Sequence, residues 1–149
     1  MSELGTQLEH RLREALVGGP SLRLAILFGS AAAGTLRASS DVDLAIVPVD
    51  PDLPLKDELA LQARLEQIVG RTVDLVRLDH ASTLLRWQVA SKGRVLLAEP
   101  ATERVRFLAQ AASDYGDFAP ALEQASRRFA RRLARPDASS RPKGPGTTP

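Results

Sequence analysis

The chain of 149 residues contains no cysteine, which excludes disulfides, thiolate metal sites and a cysteine nucleophile. No run of 18 or more apolar residues occurs, so no membrane span is expected. Aromatic residues make up only 4% of the chain, too few for a surface that stacks the bases of single-stranded nucleic acid. The two histidines, His10 and His80, are isolated from one another and from any metal-ligand spacing, and solvated or capping roles suit them. The opening MSELGTQLEHRLREAL alternates charge with leucine and lacks the apolar centre of an export signal. The expectation is a cytoplasmic protein with one core, for which 44% hydrophobic content at this length suffices.

Charge of either sign is plentiful but unevenly spread. From Arg127 onward there are six arginines and one lysine against one aspartate, a local excess of +6. The first 126 residues hold 13 basic and 17 acidic residues, a balance of −4. A solvated face on a terminal helix running into the tail explains the basic end, and docking on nucleic acid or on an acidic partner is the functional alternative.

Hydrophobic spacing predicts the elements. Leu4, Leu8, Leu12, Ala15 and Leu16 repeat at helical intervals after a possible cap at Ser2, and Gly18-Gly19-Pro20 ends that helix. Leu22 to Phe28 is a nearly continuous apolar run of strand length, suited to a strand covered on both faces. Gly29 breaks it, Ser30 to Ala33 opens a short helix, and Thr35 to Ser40 forms a loop. A second strand spans Asp41 to about Val47, with Asp41 and Asp43 on one face and Val42, Leu44 and Ile46 on the other. Leu55 to Val69 reads as a helix closed by Gly70, with Leu55, Leu59 and Gln62 on one side and Leu61, Leu65 and Ile68 beside them.

Thr72 to Leu78 forms a third strand containing Asp74. Asp79 is the expected cap of a helix from His80 to about Lys92, with Gly93 behind it, and Arg94 to Ala98 is a fourth strand. A long helix follows from Ala101, with Val105, Leu108, Ala112, Leu122, Ala125, Phe129 and Leu133 as its stripe and a break or kink at Pro120. Trp87, on a helix with Leu84, is expected in the core rather than as a base-stacking platform, and Tyr115 in the core or at an interface, with a modification target as its alternative. The order is that of an α/β domain. The expected divisions are a core over residues 1–99, a C-terminal helical extension over 100–135, and a disordered, apolar-poor tail over 136–149.

The chemistry concentrates in Leu27 to Val47, LFGSAAAGTLRASSDVDLAIV. A serine directly after a strand and a glycine presents a hydroxyl and main-chain N–H groups together, an arrangement that suits phosphate. Two carboxylates on a neighbouring strand, Asp41 and Asp43, can share a hard divalent cation such as Mg²⁺, which takes oxygen ligands. Asp74 on the next strand could complete an acidic triad of the kind that supports two-metal phosphoryl transfer. Read alone, each piece has a plainer explanation: a turn, an acidic rim, a surface acid.

Together, FGSAAAG and SSDVDLAIV resemble the nucleotidyltransferase signature of the DNA polymerase β superfamily, and most closely its minimal nucleotidyltransferases, the MNT antitoxins paired with HEPN toxins. The resemblance covers about residues 22–98, including GRVLLAE at Gly93–Glu99. It implies a small mixed sheet packed with helices, and an enzyme that moves AMP from ATP onto its HEPN partner. It also implies Gly29 and Ser30 at the nucleotide phosphates, and Asp41, Asp43 and Asp74 as catalytic Mg²⁺ ligands, with Asp74 helping to deprotonate the acceptor. A hetero-oligomer with the toxin belongs to the same expectation, and nucleic acid is not expected as a direct substrate.

One departure stands out. Many relatives carry arginines after the glycine–serine pair, whereas this chain has Ala31 and Ala33. A hydrogen bond to a charged group is worth roughly 1.5–3 kcal/mol, so the phosphate contact is either weakened or supplied from elsewhere, for example by Arg37. Two alternatives therefore stand beside a protein adenylyltransferase: a toxin-neutralising subunit with vestigial catalysis, and a nucleotidyltransferase acting on a small hydroxyl compound or RNA. The lack of an acceptor-binding domain favours a protein acceptor.

Overall fold

Glycines and prolines set most of the boundaries in the computed structural model, which describes residues 3–37 and 39–134. The expected Ser2 cap and the tail from 136 lie outside the described residues. Helix α1 (Glu3–Val17) stops at Gly18-Gly19-Pro20, and strand β1 (Leu22–Phe28) stops at Gly29. A single helical turn, α2 (Ser30–Ala33), leads through a loop to β2 (Val42–Pro48). Helix α3 (Leu55–Val69) is closed by Gly70, whose φ of 71° is one that glycine adopts without a Cβ penalty. Then follow β3 (Val73–Arg77), a 3₁₀ turn at Leu78–His80, α4 (Thr83–Lys92), β4 (Arg94–Ala98) and α5 (Thr102–Ala134).

The four strands form one mixed sheet in the order β3-β2-β1-β4. β1 lies antiparallel to both β2 and β4, while β2 and β3 are parallel and joined through α3, the long crossover that parallel neighbours require. Both faces of the sheet are covered. Val42, Leu44, Ile46 and Val73 pack with Leu12, Leu16, Leu61 and Leu65 of α1 and α3. Leu24, Ile26 and Ala45 pack on the opposite face with Val89 of α4 and Phe107 and Ala111 of α5. This explains why β1 is apolar from Leu24 to Phe28: its side chains enter two cores.

Several expectations are corrected by this packing. On α3 the buried stripe is Leu61, Leu65 and Val69, while Leu55, Leu59 and Ile68 are exposed. Gln62 is occupied instead in donating to the Val73 carbonyl at 2.8 Å. Leu4 is exposed, and its place in the buried face of α1 is taken by Glu9, whose carboxylate accepts from Arg94 Nε of β4 at 2.5 Å. On α5 the core-facing residues are Phe107 and Ala111, with Val105 exposed. The helix continues through Pro120 without a break, one main-chain donor short at that turn. The described residues divide into two units between Tyr115 and Gly116. In the second unit, Phe129 and Leu133 are exposed, and Arg127 pairs with Glu123 at 2.8 Å. Trp87 is half-buried and stacks on Tyr115, ring centroids 4.9 Å apart. Among the described residues, no helix is long and apolar enough to cross a membrane.

Asp79 does not cap α4; Ser82 does, accepting from the Leu85 N–H at 3.2 Å. Asp79 is committed to Arg77 two residues earlier, which is buried and donates Nε to Oδ1 at 2.9 Å and Nη2 to Oδ2 at 2.6 Å. Glu58 lies 3.6 Å from the same guanidinium, and the Pro51 carbonyl accepts from it. Burial works to raise the Asp79 pKa, but the hydrogen bonds and charge of Arg77 outweigh it and hold the carboxyl below its ordinary value. The stability that follows is present above the unfolded-state pKa and is lost as pH falls through the lower native one. Asp79→Ala strands a buried charge and is expected to cost about 3 kcal/mol in denaturant unfolding at pH 7, with the difference from wild type shrinking at acid pH.

Candidate active site

The acids meet at one end of the sheet. Asp43 sits one residue inside β2, where it pairs in register with Phe28 of β1 on one side and with Asp74 of β3 on the other. Neighbouring strands lie about 4.8 Å apart, so the Asp43 and Asp74 backbones are adjacent. Strand alternation sends Val42 and Leu44 into the core under α1 and α3 and places Asp43 on the opposite face with Ala45. Asp41 precedes the first residue of β2, so strand alternation does not assign it a face as expected; it is exposed in the approach to the strand. Asp74 is exposed and Asp43 half-buried.

The charges of the other two acids are felt at Asp43. Burial, then the charges of Asp74 and Asp41, push the Asp43 carboxyl above the usual aspartate range. None of the three forms an ion pair among the described residues. As placed, they do not form a ready-made ion site: among the described residues, no group of three or more acidic, histidine or cysteine side chains could hold a metal ion.

Gly29 sits directly against Asp43. Its φ of 70° and ψ of −149° fall in a region that only glycine occupies readily, and a Cβ there would collide with Asp43 Oδ2. The strand end, the α2 turn and the carboxylate are therefore fitted to one another. Gly29 is also the residue before α2, its carbonyl accepting from Ala33 N–H at 3.1 Å. The Ser30 carbonyl accepts from Thr35 N–H at 3.0 Å, while its hydroxyl makes no hydrogen bond among the described residues.

The loop from α2 to Asp41 is anchored by a residue that pattern reading missed. Arg71, between α3 and β3, donates Nη1 to the Arg37 carbonyl at 2.5 Å and reaches the Ser40 carbonyl at 3.5 Å. The Arg37 N–H also donates to Ser40 Oγ at 2.9 Å. Arg37 itself is exposed in this loop, its main chain tied down by these contacts. A cavity of about 590 Å³ beside the glycine is lined by Phe28, Gly29, Ala33, Gln88 and Lys92. Gln88 and Lys92 belong to no local motif. Only the pairing of β4 with β1 brings the end of α4 to this place.

Known proteins give the arrangement its context. Residues 10–101 match the family described as Polymerase beta, Nucleotidyltransferase. The protein adenylyltransferase MntA of Shewanella oneidensis is 41% identical over 78 residues, 52% of this chain and 55% of that protein, so the similarity spans about half of the relative. A crystal structure of a toxin–antitoxin with AMP-PNP superposes with a TM-score of 0.69 at 28% identity, covering 85% of this chain and 98% of that one. A crystal structure of the toxin–antitoxin MntA-HepT gives 0.64 at 25% identity, covering 87% and 99%. With more than half of its length matched and its mixed sheet shared with these structures, the chain belongs to the polymerase β-type nucleotidyltransferase family.

Proposed function

We propose that this chain is a Mg²⁺-dependent protein adenylyltransferase that silences a HEPN-type toxin by transferring AMP to it from ATP. One observation carries the reading: Asp43, register partner of Asp74 and pressed against Gly29, has a carboxyl raised by burial and by two unneutralised acidic neighbours. Acids crowded together with a perturbed carboxyl are characteristic of functional sites, and a bound cation would relieve their repulsion. The donor set fits Mg²⁺, being all hard oxygen, and Mg²⁺ is usually held by one or two carboxylates plus substrate phosphates rather than by a protein cage. The open grouping of the acids is in keeping with that habit.

In this reading Asp41, Asp43 and Asp74 hold the metal, and Gly29 and Ser30 receive the triphosphate. The chemistry that Mg²⁺ held by these acids would supply is a lower pKa for the attacking hydroxyl and neutralisation of charge on the departing pyrophosphate. Gly29 lets the main chain approach the phosphates without a side chain in the way, and the unengaged Ser30 hydroxyl is available to donate to a phosphate oxygen. Asp74, exposed at the edge strand, is open to the acceptor hydroxyl and accepts its proton. Use of ATP places the activity in the cytoplasm. The family relatives named for adenylyl transfer and solved as toxin–antitoxin assemblies support the choice of acceptor.

Ala31 and Ala33 favour one second reading, a neutralising subunit that binds its partner without modifying it. The test is to incubate the protein and its HEPN-type partner with Mg²⁺ and ATP labelled at the α-phosphate or at the γ-phosphate. Label on the partner from the α-position alone supports adenylyl transfer, whereas complex formation without label selects the second reading. Ser30→Ala should reduce labelling about tenfold or more at limiting ATP with little change in melting temperature, since its hydroxyl makes no hydrogen bond among the described residues. Equal losses of both would make the serine structural.

A further inference from the structure

The cavity beside Gly29 contains a cation that none of the assigned roles uses. We propose that Lys92 takes the β- and γ-phosphates of the nucleotide, supplying from α4 the charge that Ala31 and Ala33 do not supply from α2; this rests on the nucleotidyltransferase reading above. Ala33 and Lys92 line the same cavity, so the lysine faces the space that a longer residue on α2 would otherwise enter. At about 590 Å³ the cavity lies within the range of small-molecule sites.

The placement of Lys92 is built into the fold. Gly93 follows it, and a Cβ at Gly93 would strike Ile26 Cγ2 and the Val89 carbonyl, so only glycine lets the end of α4 press this closely on β1. Arg94 then pairs in register with Leu27, two residues before Gly29. The last residue of α4 is thereby held next to the strand end that carries the glycine–serine pair.

The other nearby cations are engaged or lie elsewhere. Arg94 is bound to Glu9. Arg71 holds the loop carbonyls of Arg37 and Ser40, and Arg37 does not line the cavity. Lys92 has no ion-pair partner among the described residues and is exposed. A polyanion arriving at a site with three carboxylates needs positive charge at its far end, and a mobile ammonium with three donors suits phosphate oxygens. Gln88, one helical turn earlier, adds an amide to the same wall.

Calorimetric titration of ATP with Mg²⁺ into wild type, Lys92→Met, Lys92→Arg and Lys56→Met tests this. Lys56 is an exposed lysine of α3 and serves as the control for simple loss of charge. The expected result is a roughly ten- to hundredfold weaker Kd for Lys92→Met, recovery of most of that loss by Lys92→Arg, and no change for Lys56→Met. Melting temperatures of all four should agree. If wild type binds ATP and Lys92→Met binds it equally well, or if Lys56→Met is weakened as much, the assignment of Lys92 is overturned while the proposed function stands. If wild type binds no ATP, both fall.

Discussion

Asp43→Asn is expected to reduce AMP transfer by on the order of a thousandfold while raising the melting temperature at neutral pH. The first effect follows from losing one anionic ligand of the proposed metal site, where charge stabilisation amounts to several kcal/mol. The second follows from the field at the site. Asp43 is pushed up by burial and by Asp74 and Asp41, so its native pKa lies above its unfolded one. For such an acid the ionised form costs stability: the cost is absent below the unfolded pKa, grows as pH rises between the two values and is complete above the native one. Asparagine keeps the shape and removes the charge, so thermal scans from pH 4 to 8 should show a stabilisation that grows with pH. Magnesium should raise the wild-type melting temperature and leave that of the variant nearly unchanged, because a ligand stabilises only the state that binds it. A variant less stable than wild type at pH 7 would show that the carboxylate has a structural partner after all.

Gly29→Ala should be the most damaging single methyl group that can be added near the site. Its backbone conformation costs a non-glycine residue about 1–3 kcal/mol, and the new Cβ would also overlap Asp43 Oδ2. Relief requires moving either the start of α2 or the β2 carboxylate, so the expected outcome is a loss of about 2–4 kcal/mol in unfolding free energy together with near-complete loss of transfer. Gly34→Ala makes a useful comparison. Gly34 also has a positive φ, of 76°, but a Cβ there meets nothing within 4 Å. It should lose stability through backbone strain alone and keep most of its activity. If the two variants behave alike, the fit of Gly29 to Asp43 is not what matters.

The elements bounded by punctuation were legible in the sequence. β1 between Pro20 and Gly29, α3 between Pro54 and Gly70, and β4 after Gly93 fall on the expected residues, because glycine and proline act locally. The family and its small mixed sheet were also legible, since FGS and DVD lie next to strands that periodicity alone predicts. What escaped depended on partners distant in the chain or on competition for a side chain. Asp79 reads as a cap, but Arg77 claims it first. The exposed Val105 and buried Phe107 of α5 differ by two positions, and only the sheet decides which one faces inward. Arg71 and Lys92 carry no motif: one reaches back across the sheet edge to the Arg37 loop, and the other reaches Gly29 through the β1–β4 pairing. Strand order is a tertiary property that spacing does not encode.

The central claim is that the three acids and the Gly29–Ser30 turn form a working adenylyl-transfer site for a protein acceptor. Mass spectrometry of the HEPN-type partner, after incubation with this protein, ATP and Mg²⁺, tests it most directly. A partner heavier by one or more AMP units is expected with wild type, and no adduct with Asp41→Ala, with Asp43→Ala or in the presence of a chelator. An unmodified partner with wild type, or the same adduct with the aspartate variants, would contradict it.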